Sequence, residues 1–62
     1  MAMICLHKQG NKRIWVNVNK IVTLFEGERA TYVELEGRSE LLCVNESVKD
    51  IQDAIGRAVD VP

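Results

Sequence analysis

The sequence predicts an α+β domain in which a five-stranded antiparallel meander is followed by one C-terminal amphipathic helix, with residues 1–62 forming a single domain. Three observations carry this. Short apolar runs with a strand-like pattern recur as far as Val44. The gaps between them are only a few residues long, and short connections join antiparallel neighbours. Beyond Ser47 the apolar spacing changes to the period of a helix. Five strands of this length can also curl into a small open barrel.

The first strand is "AMICLHK", where Ile4 and Leu6 share one face and Met3, Cys5 and His7 the other. "QGNK" is a turn, because glycine takes positive φ freely and asparagine tolerates it. "RIWVNV" is the second strand, with Ile14, Val16 and Val18 on one face and Arg13, Trp15 and Asn17 on the other. Both runs are rich in residues that suit a pleated surface, so together they predict a hairpin.

"NVNK" reads as a corner, and "IVTLF" restarts the apolar pattern as a third strand closed by the glycine turn "EGER". In "ATYVELE", Thr31, Val33 and Leu35 point toward the core and Tyr32, Glu34 and Glu36 toward water. "GRS" turns again. The fifth strand, "ELLCV", has a continuous apolar run that predicts burial on both faces. The helix places Val48, Ile51, Ile55, Ala58 and Val59 on one stripe, with Ala54 alongside. Asn45 or Ser47 caps its start, and Asp50 completes a weak capping box. Gly56 within it marks either close approach to the sheet or fraying.

A chain of 62 residues has one small core, worth roughly 3–5 kcal/mol, and such scaffolds usually need a further staple. An apolar fraction of 47% argues for a folded chain rather than a disordered one. Cys5 and Cys43 lie in the apolar runs "MICL" and "LLCV" and read as buried thiols in a reducing cytoplasm. No secretory apolar region precedes them, and no run approaches the roughly 20 residues of a membrane span. A cytoplasmic protein without membrane insertion is expected. The net charge of −1 conceals an asymmetry. Residues 1–20 hold Lys8, Lys12, Arg13 and Lys20 and no acid, whereas residues 21–62 hold nine acids against four bases. Such a molecule can pair with itself or steer a charged partner.

Reactive chemistry is sparse. His7 is the sole histidine, and although Cys5 shares its strand face, nothing nearby in sequence would lower the thiol pKa. Glu34 with Glu36, and Glu26 with Glu28, alternate with apolar residues or flank a turn and read as solvated carboxylates. Four N/S zinc ligands are not available, and the glycine turns lack the lysine and glycine density of a phosphate loop. A chain this small also leaves little room for a pocket of about 300–1,000 Å³. No catalytic residue, cofactor or metal is expected, and the chain reads as a non-enzyme.

Binding remains. Trp15 and Tyr32 fall on the polar faces of their strands, where they either anchor a protein partner beside Arg13 or cover a second small core in a curled sheet. The first strand has no charge before His7 and Lys8, so its edge is weakly protected and predicts a homodimer or higher homo-oligomer. The alternative is an RNA- or DNA-binding regulator that contacts phosphates through Lys8, Lys12, Arg13 and Lys20, with Trp15 as a stacking platform.

Gly10, Val16-Asn17, Ile21, Thr31-Tyr32-Val33-Glu34-Leu35, Gly37 and Val44-Asn45-Glu46-Ser47-Val48 occur in an order that resembles the small bacterial FlbD-like family of flagellar and swarming-motility proteins. The resemblance spans nearly the whole chain, with Val18 where that family often has proline. It implies a small non-enzymatic protein that acts through contacts with others. "MICLHKQG" and the element count also resemble the carbon storage regulator family, RNA-binding dimers of similar length. That family's glycine-glutamate-threonine turn is Gly10-Asn11-Lys12 here, its alanine-proline step is replaced by Gly37-Arg38-Ser39, and its arginine beside the last strand has no counterpart near Asn45 and Glu46.

Overall fold

The computed structural model describes residues 2–58, so Val59 of the expected helical stripe falls outside the described residues. Five strands and one helix follow in the expected order: β1 (Met3–Lys8), β2 (Lys12–Asn17), β3 (Ile21–Glu26), β4 (Thr31–Leu35), β5 (Leu42–Val44) and α1 (Val48–Arg57). All strand pairings are antiparallel.

The single meander is corrected to two sheets, β1-β2 and β3-β4-β5, which do not close into a barrel. The reason lies at the "NVNK" corner. Asn17 has φ −73° and its side chain accepts from the Asn19 N–H, which winds Val18–Lys20 into one 3-10 turn. Such a local asparagine turn competes with a strand ladder. The chain leaves β2 in a new direction, and β3 starts a sheet of its own.

β1 and β2 are joined through a tight loop in which Gly10 and Asn11 both have positive φ, 79° and 58°. Glycine carries no penalty there, and asparagine is among the residues that tolerate it. The register pairs Ile4 with Val16, Cys5 with Trp15, Leu6 with Ile14 and His7 with Arg13. In β3 an irregularity between Ile21 and Thr23 interrupts the ladder. Ile21 and Leu24 therefore both turn inward, while Val22 stays exposed.

The core joins Ile4, Leu6 and Val16 of the hairpin to Val33, Leu42 and Val44 of the second sheet and Ile51 of the helix. Fully burying one such side chain contributes about 1.5–3 kcal/mol. Thr31 and Val33 are buried and Leu35 half-buried, as their alternation predicts. β5 departs from expectation. It is three residues long, only Leu42 and Val44 are buried, and Leu41 is 49% exposed. The second sheet is covered on one face only, so the outward residues of the apolar run meet water. Cys5 and Cys43, expected to be buried, are half-buried free thiols for the same reason: both sit on outward faces.

Ser47 is the helix cap, its hydroxyl accepting from the Asp50 N–H. Ile51 is fully buried, and Ala54 and Ile55 pack against the core from the same stripe. Gly56 faces open space, so the close approach that its presence suggested does not occur.

Candidate functional site

The strand alternation of the first hairpin decides which side chains are available. Ile4, Leu6, Ile14 and Val16 point inward. Met3, Cys5, Arg13 and Trp15 are left on the outer face, where Trp15 is 62% exposed and Met3 42%. Trp15 stands opposite Cys5 and two pairs from the Arg13–His7 rung, the next on its face. The two rings expected to behave alike are separated. Trp15 is on the open face of β1-β2, whereas Tyr32 is half-buried on the other sheet.

Tyr32 stacks on Phe25, its direct partner across β3-β4, with ring centroids 5.3 Å apart and planes at 24°. A Cβ placed on Gly27 would lie 2.4 Å from the Tyr32 ring, so the "EGER" glycine makes room for the aromatic pair. Tyr32 is thus a member of a local aromatic pair, and Trp15 and Arg13 are the exposed residues of β2 on one face.

The basic residues also divide. Lys8 and Lys12 face each other at the tip of the hairpin. With Arg38, Glu40 and Leu41 they line an open cleft of about 350 Å³. It is the gap between the hairpin tip and the β4–β5 connection, open to solvent and at the low end of the volumes that enclosing pockets have. Arg13 and Lys20 are not part of its lining. Like charges directly across a ladder disfavour each other, and Glu40 is the one acid in the cleft to offset three cations. In sequence Arg38 belongs only to a turn, and no local pattern in "EGRSE" connects it to the distant hairpin.

A second feature missed at the level of sequence is the clasp between β1 and the β5–α1 corner. The His7 N–H donates to Glu46 Oε1 at 2.8 Å, and the His7 ring Nδ1 donates to Glu46 Oε2 at 2.6 Å. The Asn45 N–H donates to the His7 carbonyl at 2.8 Å, and the Asn45 side-chain amide to the Lys8 carbonyl at 3.3 Å. Partial burial works against the charge on Glu46, but the hydrogen bonds from His7 outweigh it and hold the carboxyl below its ordinary range. Val44 in the core, Asn45 and Glu46 on β1 and Ser47 at the helix start give each residue of "VNES" a separate structural task. His7 is thereby committed to Glu46 rather than to its strand neighbour Cys5.

Among the described residues no group of three or more His, Cys, Asp or Glu could hold a metal ion, and no helix is long and apolar enough to cross a membrane. Comparison with family models, curated proteins and solved structures finds no match for this chain.

Proposed function

We propose that this chain is a small non-enzymatic interaction module that self-associates through its first hairpin, with Trp15 as the anchor and Arg13 beside it. The observation that carries the reading is the exposure of Trp15 in the middle of a regular strand, with Met3 exposed on the same face. Tryptophan holds a large apolar area that a partner can cover, and a contiguous exposed apolar patch marks an interaction surface. Tryptophan and arginine are also the residue types that most often dominate interfaces. The FlbD-like resemblance points the same way, to a bacterial cytoplasmic protein that acts by contact. Trp15→Ala should weaken assembly by roughly thirtyfold while leaving the circular dichroism of the fold unchanged. Sedimentation of the two chains across a concentration series tests this. A wild-type chain that stays monomeric at millimolar concentration would refute the reading.

The cleft formed by Lys8, Lys12 and Arg38 supports a second reading, an anionic partner such as nucleic acid. A salt series with mixed-sequence RNA and DNA separates the two. Affinity that falls steeply with salt and is lost in Lys12→Glu favours the nucleic-acid reading, and the absence of binding at low salt removes it.

A further inference from the structure

Every N–H and C=O of an antiparallel strand points to one side or the other in alternation, and both groups of a given residue point the same way. Two observations fix the parity of the first hairpin. The Val18 N–H donates to the Ala2 carbonyl, so even-numbered residues of β1 and β2 face each other across the ladder. The N–H and C=O of His7 are both taken by the β5–α1 corner, so odd-numbered residues of β1 face away from β2. By the same parity, Arg13, Trp15 and Asn17 turn their backbone groups outward from β2. β2 has no strand on that side, and among the described residues nothing hydrogen-bonds the outward groups of Arg13 and Trp15 or the Asn17 N–H, while the Asn17 carbonyl opens the 3-10 turn. β2 is therefore a regular, unbulged and open edge with a tryptophan at its middle, the kind of edge that templates another strand.

We infer that the β2 edge pairs antiparallel with the β2 edge of a second copy of this chain, with the two-fold axis at Trp15. This rests on the self-association reading above and specifies its geometry. The strand is complementary to itself in that register. Centring on Trp15 places Arg13 opposite Asn17 of the second copy, so that Trp15 donates to and accepts from its own copy and the Asn17 N–H donates to the Arg13 carbonyl across the new ladder. Ile14 falls opposite Val16 of the second copy on the inner face, which continues the apolar surface that both already contribute to. The other registers fit less well. Centring on Arg13 sets two guanidinium groups against each other. Centring on Ile14 matches Asn17 with Asn11, whose φ of 58° is not that of a strand. Centring on Val16 leaves Arg13 without an extended partner. Trp15 then meets its own copy across the axis, and ring-on-ring contact covers the exposed indole. Pairing of two β2 edges turns two small sheets into one continuous four-stranded sheet. A two-fold interface of this kind closes on itself and does not propagate.

Hydrogen exchange on the wild-type chain tests this residue by residue. In the dilute monomer the amides of Ile14 and Val16, which face β1, are protected, while those of Arg13, Trp15 and Asn17 exchange freely. On association the outward amides become protected and the inward ones change little. Isotope-filtered NMR should then show Ile14 Hα close to Val16 Hα of the second copy. Asn17→Pro read against Asn17→Ala supplies an independent arm: both lose the side-chain bond to the Asn19 N–H, and only Asn17→Pro, at a φ of −73° that proline shares, also loses the outward N–H. The Asn17→Pro dimer should be roughly thirtyfold weaker than that of Asn17→Ala, one hydrogen bond being lost from each half. Association with the outward amides still exchanging, or Asn17→Pro associating as tightly as Asn17→Ala, overturns the edge pairing and leaves the self-association reading standing. Cross-copy contacts to Val22 or Phe25 in place of Val16 also overturn it, since they would assign the occupant to β3. A wild-type chain that never associates overturns the self-association reading itself.

Discussion

The two outer edges of the β1-β2 sheet are made of similar strands and meet different fates. The β1 edge is clasped at its C-terminal end: Glu46 and Asn45 take the N–H and C=O of His7, and the Asn45 side chain reaches the Lys8 carbonyl, while among the described residues no such bond reaches the outward groups of Met3 and Cys5. The β2 edge carries no such clasp among the described residues. β1 was expected to be the exposed edge because it lacks a charge before His7 and Lys8. The structure corrects this at His7, whose protection comes from a side chain thirty-nine positions further along the chain, and leaves the Met3–Cys5 stretch without such a guard. The difference teaches that an edge is guarded by what the fold brings beside it. The charge pattern of the strand itself is a weaker guide.

The largest expected effect comes from removing the support of the clasp. Ile51 is fully buried, and its contacts hold α1, and with it the Asn45-Glu46 corner, against the core. Ile51→Ala should cost about 2–5 kcal/mol, against a total of only a few for a domain this small. Urea or thermal melts should find the variant largely unfolded at ambient temperature. A melting temperature lowered by a degree or two would show that the helix does not hold the clasped edge.

On the open edge the expectation reverses. Trp15→Ala should leave the melting curve of the monomer nearly unchanged, because surface substitutions usually stay within about 0.5 kcal/mol. Its cost should appear in assembly alone. An unfolded Trp15→Ala monomer would mean that the two edges do not differ in kind.

Cutting the clasp directly is a smaller perturbation. Glu46→Ala leaves the His7 N–H without its acceptor, and such a loss costs about 1–3 kcal/mol when the donor is buried. Partial exposure of the pair puts the effect at the low end. Hydrogen exchange at His7 should accelerate selectively, and unchanged protection there would contradict the clasp. Ser47→Ala should cost about 1 kcal/mol by removing the helix cap, measurable as a shift in the urea midpoint. No shift would mean that water replaces the hydroxyl without loss.

The smallest effect is on pH dependence. The Glu46 carboxyl is held below its ordinary value of 4.5 in the folded chain. A lowered carboxylate pKa means that the unfolded chain binds the proton more readily. The contribution is therefore fully present above the ordinary value and is lost as pH falls through the lowered one. Stability should decline modestly in acid below that ordinary value, and Glu46→Gln should flatten the part of the decline that depends on this group. An identical acid profile in Glu46→Gln would assign the decline to other carboxylates.

The local pattern carried much of the fold. Alternation around Ile4 and Leu6, and around Val16, placed the hairpin core correctly, and the helical spacing with Ser47 placed α1 and its cap. The same alternation put Trp15 and Arg13 outside, with an exposed or a covered position both open for the ring. The split into two sheets was less legible, because it depends on one Asn17 side chain bonding the backbone two residues on. "NVNK" signals a corner without revealing that the next strand pairs elsewhere. The run "ELLCV" misled for a related reason. Its apolarity reports affinity for a core, but only one side of β5 has anything packed on it.

By itself the sequence determined the order and type of the elements, the antiparallel sense of the sheets and the inward residues of the hairpin. All of these follow from spacing over a few neighbouring positions and from short connections. Tertiary structure alone decided that β1 is clasped at His7 and β2 open, that Arg38 joins Lys8 and Lys12 at one cleft, and that Tyr32 stacks on Phe25 apart from Trp15. Each of these joins residues whose separation in the chain exceeds any local period. Their encounter is set by how the hairpin, the second sheet and the helix pack around Leu6, Val33, Val44 and Ile51, and by the direction in which one 3-10 turn sends the chain.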